Sequence, residues 1–133
     1  MPNRATATLS IAGQSIWVDN ITRSMLASGR LAEYIRDWSV VGLTSNPTIF
    51  EKAIAGSNDY DPQIRELLAK GIDGEKLFFE LALTDLTKAA DLFKGVHERT
   101  GGIDGWVSLE VSPLLARDAK TTVEQAVALH AKA

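Results

Sequence analysis

No cysteine occurs anywhere in the 133 residues. That excludes disulfides, thiolate nucleophiles and cysteine-ligated metals. Histidine is nearly as scarce, with only His97 and His130. Both fall on helical patterns away from any strand end, where a solvated helix histidine is the natural reading. No stretch is long and apolar enough to cross a bilayer. Positive charge is not in excess: 14 lysines and arginines face 17 aspartates and glutamates, a net charge of -3. A nucleic-acid or membrane-surface binder needs a basic face, and no basic run is present. The opening residues, Met1 to Thr6, lack the apolar core of a signal peptide, so a cytoplasmic location is expected. What remains is 45% hydrophobic and 23% charged, the balance of a globular chain long enough for a real core.

The most informative stretch is Val40 to Phe50, VVGLTSNPTIF. An apolar run, Val40 to Leu43, meets the polar cluster Thr44-Ser45-Asn46. Pro47 follows, and a helical pattern begins at Ile49 and Phe50. Proline at a first helical position loses nothing, because that N–H has no intrahelical partner, and Asn46 is then the N-cap. The stretch therefore predicts a buried strand passing directly into a helix.

Two more segments have the same character. Ser15 to Val18 is a short run of β-formers ending at Asp19-Asn20, and Trp106 to Ser112 is a third such run, with Glu110 near its end. Between these runs the spacing is helical. Helices are expected over Ile21 to Ala27, with Asp19, Asn20 or Thr22 as cap, and over Arg30 to Trp38. After Pro47 a helix runs to Gly56, and another opens at Pro62 with Asp61 as N-cap. The longest runs from Glu75 to about Glu98. A last helix is capped by Thr121 or Thr122, with Glu124 and Gln125 placed for a capping box and with Val123, Ala126, Val127 and Leu129 on its core side. Ala7 to Ile11 reads as a lead-in strand or helix ended by Gly13. Short apolar strands separated by helices imply parallel pairing, so the fold class is α/β.

In such folds ligands bind at the C-terminal ends of the strands. Asp19, Thr44-Ser45-Asn46 and Glu110 all fall there. One polar strand end is an ordinary cap, but three in succession point to a site. Two carboxylates and an amide suit proton transfer and recognition of hydroxyl groups, and no metal-ligand set is visible.

These same residues carry a family resemblance. Trp17-Val18-Asp19-Asn20-Ile21 resembles the first-strand motif of transaldolases. Gly42-Leu43-Thr44-Ser45-Asn46-Pro47-Thr48-Ile49-Phe50 resembles their second, and Ser108-Leu109-Glu110-Val111-Ser112-Pro113 their third. The resemblance covers the chain from about Ile16 onward. It implies a parallel-stranded partial (β/α)8 barrel: the first three βα units, with extra helices between strands two and three. It implies transfer of a dihydroxyacetone unit from sedoheptulose 7-phosphate to glyceraldehyde 3-phosphate, giving erythrose 4-phosphate and fructose 6-phosphate in the pentose phosphate pathway. The chemistry runs through a lysine Schiff base, without metal or other cofactor. Asp19 is then the acid/base group, Asn46 binds the hydroxyls of the dihydroxyacetone moiety, with Thr44 beside it, and Glu110 holds a water that relays protons.

The Schiff-base lysine of the family lies on the fourth strand. The lysines here, Lys52, Lys70, Lys76, Lys88, Lys94, Lys120 and Lys132, all fall on helical patterns or their flanks. A complete barrel takes about 250 residues. Residues 1–133 are therefore expected to form the N-terminal portion of a barrel, incomplete as a domain and inactive alone. The inner sheet face, expected to carry Ile16, Val18, Val41, Leu43, Val107 and Leu109, would drive self-association or pairing with the missing half. The competing expectation is a non-catalytic half-barrel that binds a sugar phosphate or serves only in assembly. An unrelated lysine-independent aldolase or isomerase would need metal ligands or a poised histidine, and neither is visible.

Overall fold

Three short runs rich in branched and aromatic side chains form the sheet. In a computed structural model that describes residues 4–133, they are β1 (Ile16–Asp19), β2 (Val40–Thr44) and β3 (Trp106–Val107). The strands are parallel and adjacent in chain order, β1-β2-β3. In register, Trp17 lies opposite Gly42 and Gly42 opposite Trp106, Val18 opposite Leu43 and Leu43 opposite Val107, and Asp19 opposite Thr44. The expected α/β class with parallel pairing is what the chain forms.

The helices follow the expected breaks closely. α1 (Arg4–Ile11) leads into β1, so the undecided N-terminal segment is helical. α2 (Arg23–Ala27) is capped by Thr22, whose side chain accepts from Met25 N–H. α3 (Arg30–Asp37) precedes β2, and α4 (Pro47–Ala55) leaves it with Asn46 as N-cap. A 3-10 turn, Asn58–Tyr60, leads into α5 (Asp61–Ala69). Asp61 is thus the first helical residue rather than the cap, because the 3-10 turn already occupies the capping position. α6 (Gly74–Arg99) is the longest element, and α7 (Ala119–Lys132) the last.

Leu43, Phe50, Ile21 and Leu31 pack on Ala82, Leu86, Ala89, Phe93 and Val96 of α6. At about 25 cal/mol per Å² of apolar surface removed from water, this cluster is the main source of cohesion. Ile16, Val18, Val41, Val107 and Leu109 pack against the same cluster. This corrects the assignment of sheet faces: those residues and Leu43 turn toward the helices, not toward an open inner face. On the other face, Trp17 lies over Gly42, where a Cβ would meet its indole at 2.3 Å. A second cluster, Tyr60, Leu67 and Leu81, joins α4, α5 and α6.

Two further expectations are corrected. The third strand was expected to reach Ser112 but pairs only through Val107. Ser108 still donates its N–H to the Leu43 carbonyl at 2.9 Å. Beyond that, β2 has turned into α4 and leaves nothing to pair with. α7 is capped by Asp118, which accepts from Thr121 N–H, and Gln125 accepts from Ser112 N–H instead of closing a capping box. Val123 and Val127 of α7 are exposed, 62% and 65%, and Ala126 is exposed too, so of the four residues expected on its core side only Leu129 is partly buried.

Candidate functional site

Asp19 is the last residue of β1 and its side chain is exposed. The carboxylate is placed there by pairing geometry. β1 runs until Asp19 stands opposite Thr44, and the chain then turns inward so that Ile21 is fully buried.

The end of β2 divides its three polar residues among three tasks. Thr44 shares a sheet row with Asp19. Ser45 is fully buried and donates to the Ser108 carbonyl at 2.8 Å. It continues with a side chain the ladder that β2 can no longer supply from its backbone. Asn46 has extended backbone, and its Oδ1 accepts from Ile49 N–H at 3.0 Å. That bond occupies the amide oxygen and leaves Nδ2, a donor, for anything outside.

Glu110 is exposed on the irregular segment that follows β3. The segment is held at both ends. Ser45 grips Ser108, and Ser112, itself buried, gives its N–H to Gln125 Oε1 at 2.6 Å. Glu110 is therefore presented without being part of a strand.

These pieces meet. Asp19, Asn46 and Glu110 line one cavity of about 610 Å³, together with Pro47, Thr48, Ile49, Lys52 and Pro113. The three residues singled out in the sequence at three separate strand ends are thus neighbours in space. Thr44 is not in that lining, although its register partner Asp19 is. Lys52 was not singled out. It follows Thr48 by four residues on α4, so the two share a helix face, and that spacing was the available signal. No group of histidines, aspartates or glutamates arranged to hold a metal occurs among the described residues. His97 sits far along α6, with its Nδ1 3.1 Å from the Asp104 carbonyl and its ring edge-on to Trp106.

No helix among the described residues is long and apolar enough to cross a membrane.

Residues 16–133 match the family model described as transaldolase/fructose-6-phosphate aldolase. The chain is 50% identical over 121 residues to a transaldolase of Saccharopolyspora erythraea, covering 91% of this chain and 32% of that protein. It is 47% identical over 121 residues to a transaldolase of Frankia alni, covering 91% and 33% respectively. A transaldolase of Thermobifida fusca is 50% identical over the same length, with the same coverage as the Frankia alni protein. The chain spans about a third of the length of the curated relatives it matches. With a family model covering everything from the first strand onward, this chain belongs to the transaldolase/fructose-6-phosphate aldolase family.

Proposed function

We propose that this chain supplies the acid/base and hydroxyl-binding side of a transaldolase active site. The observation that carries the reading is the shared cavity of Asp19, Asn46 and Glu110. Asp19 is the group that takes and returns the proton of the substrate hydroxyl during C–C cleavage and addition. Asn46 donates its free Nδ2 hydrogens to hydroxyls of the dihydroxyacetone moiety, its oxygen being occupied by Ile49 N–H. Glu110 holds a water that relays protons as the Schiff base forms, and Thr44 supports this row from beside Asp19. The donors are sedoheptulose 7-phosphate and fructose 6-phosphate, and the acceptors glyceraldehyde 3-phosphate and erythrose 4-phosphate.

The nucleophile is a lysine outside these residues. Lys52, Lys76, Lys88, Lys94, Lys120 and Lys132 all lie on helices, and Lys70 caps the end of α5. A Schiff-base lysine needs a depressed pKa, which burial at a strand end provides and an exposed helix does not. We read residues 1–133 as the first three βα units of a (β/α)8 barrel, with α4, α5 and α6 inserted between β2 and β3. The relatives, about three times as long, support this. In the three-stranded sheet, β1 and β3 each have one edge without a strand among the described residues, and those edges are where the rest of the barrel pairs.

The test is borohydride reduction in the presence of fructose 6-phosphate, read by mass spectrometry. Residues 1–133 alone are expected to form no adduct, and the protein expressed in full from its gene to form one on a lysine elsewhere. An adduct on a lysine of residues 1–133 overturns the reading. Failure of the full gene product to form any adduct does the same.

A further inference from the structure

The helical insertion carries a buried ionic cluster that none of the roles above uses. Asp85, on α6, is fully buried, and its Oδ1 accepts from Arg23 Nε at 3.0 Å. Arg23 is the first residue of α2. Its other guanidinium nitrogens donate to Gln63 Oε1 at 2.7 Å and to the Asp59 carbonyl at 3.3 Å. The guanidinium lies 4.3 Å from the centroid of the Tyr60 ring, and the Tyr60 hydroxyl accepts the Arg23 backbone N–H at 3.1 Å. Gln63 in turn donates to Thr84 at 2.8 Å. One residue of α2 is thereby fixed by the 3-10 turn, by α5 and by α6. Asp85 Oδ2 has no hydrogen-bond partner among the described residues, so Arg23 is its principal compensation.

Such a pair is a poor device for stability alone, since desolvating two charges offsets most of their attraction. Its strength is direction: a guanidinium fork with several acceptors and an aromatic face leaves the residue one position. The position fixed is close in sequence to Asp19. From Asp19 the chain passes Asn20, the fully buried Ile21 and the capping Thr22, and reaches Arg23. Strand end, core anchor, cap and ionic clamp follow one another without slack.

We propose that Arg23 and Asp85 are positioning residues for Asp19: the clamp at the start of α2 sets where the β1 carboxylate stands relative to Asn46 and Glu110. This rests on the reading of Asp19 as the acid/base group. The test uses the protein expressed in full from its gene, with transfer from fructose 6-phosphate to erythrose 4-phosphate as the assay. Each variant is assayed at a temperature where circular dichroism shows it folded. Asp85→Asn keeps the shape and removes the charge. It is expected to lower kcat about ten- to hundredfold, as a displacement on the order of 1 Å does. The KM for fructose 6-phosphate should stay within about twofold, because Asn46 and Glu110 are untouched. Arg23→Lys keeps a cation facing Asp85 and loses the fork, so its kcat should fall between those of wild type and Arg23→Met. If Asp85→Asn does not fold, the two Arg23 variants carry the same comparison. A folded Asp85→Asn, or a folded Arg23→Met, with kcat within about twofold of wild type overturns the proposal. So does a rise in KM that accounts for the whole loss. Asp19→Asn is run alongside. Unchanged kcat there removes the premise itself, a failure distinct from an inert clamp beside an essential Asp19.

Discussion

The side-chain oxygen of Asn46 accepts the backbone N–H of Ile49 at 3.0 Å, so one residue both starts α4 and lines the cavity. The two duties can be separated. Asn46→Asp keeps a capping oxygen at a helix N-terminus, where a negative charge is also favourable, and should leave the melting temperature near wild type. It replaces the outward donor with a carboxylate oxygen and should weaken fructose 6-phosphate binding by about tenfold or more. Asn46→Ala loses both duties and should also lower stability by about 1 kcal/mol. Thermal melts and calorimetric titration of the full gene product distinguish the three proteins.

Ser45 is the hidden member of the second-strand motif. Its hydroxyl is buried and satisfies the Ser108 carbonyl. Ser45→Ala should cost about 1–3 kcal/mol by leaving that carbonyl unpaired. It should also loosen the segment that presents Glu110. Hydrogen exchange should show faster exchange around Leu109 to Val111 than in wild type, and unchanged rates there would contradict the pinning role.

Tyr60 gives a pH dependence with a definite sign. Burial pushes its hydroxyl up to about 12, with the nearby Asp85 carboxylate adding to the effect. The folded state therefore holds this proton more tightly than the unfolded chain, whose tyrosine titrates near 10. Stability from this group is fully present below about pH 10 and is lost as pH rises toward about 12, by at most roughly 2–3 kcal/mol. Denaturant midpoints measured across that window should fall more steeply for wild type than for Tyr60→Phe.

Gly105 stands where α6, β2 and β3 converge. Its φ is +85°, its N–H reaches the Val41 carbonyl at 2.7 Å, and a Cβ would lie 2.5 Å from the backbone nitrogen of His97. Gly105→Ala meets both a left-handed backbone and a rigid neighbour. A loss of about 1–3 kcal/mol or more is expected, since neither can relax cheaply. Gly101 has a similar φ of +61° but open space around it, so Gly101→Ala should cost less. Chemical denaturation of the two variants checks the ranking.

Much of this protein was determined by local sequence. Pro47 after Asn46 marks the point where the strand gives way to a helix, because proline holds φ near its helical value and asparagine caps the free N–H groups. Gly29, Gly71 and Gly13, all at positive φ, mark chain reversals that the glycines themselves announce. The placement of Asp19 and Asn46 at strand ends follows from those local rules. Only the tertiary structure decided which sheet face is covered, because short buried strands are apolar on both faces and carry no alternation to choose by. It likewise decided the length of β3, since a strand pairs only as far as its neighbour extends, and β2 stops at Thr44. It decided that Asp118, not a threonine, caps α7, and that Gln125 is drawn off to Ser112. It also brought Asp85 to Arg23 across 62 residues of chain, a pairing no local pattern records because its cause is the docking of one helix on another.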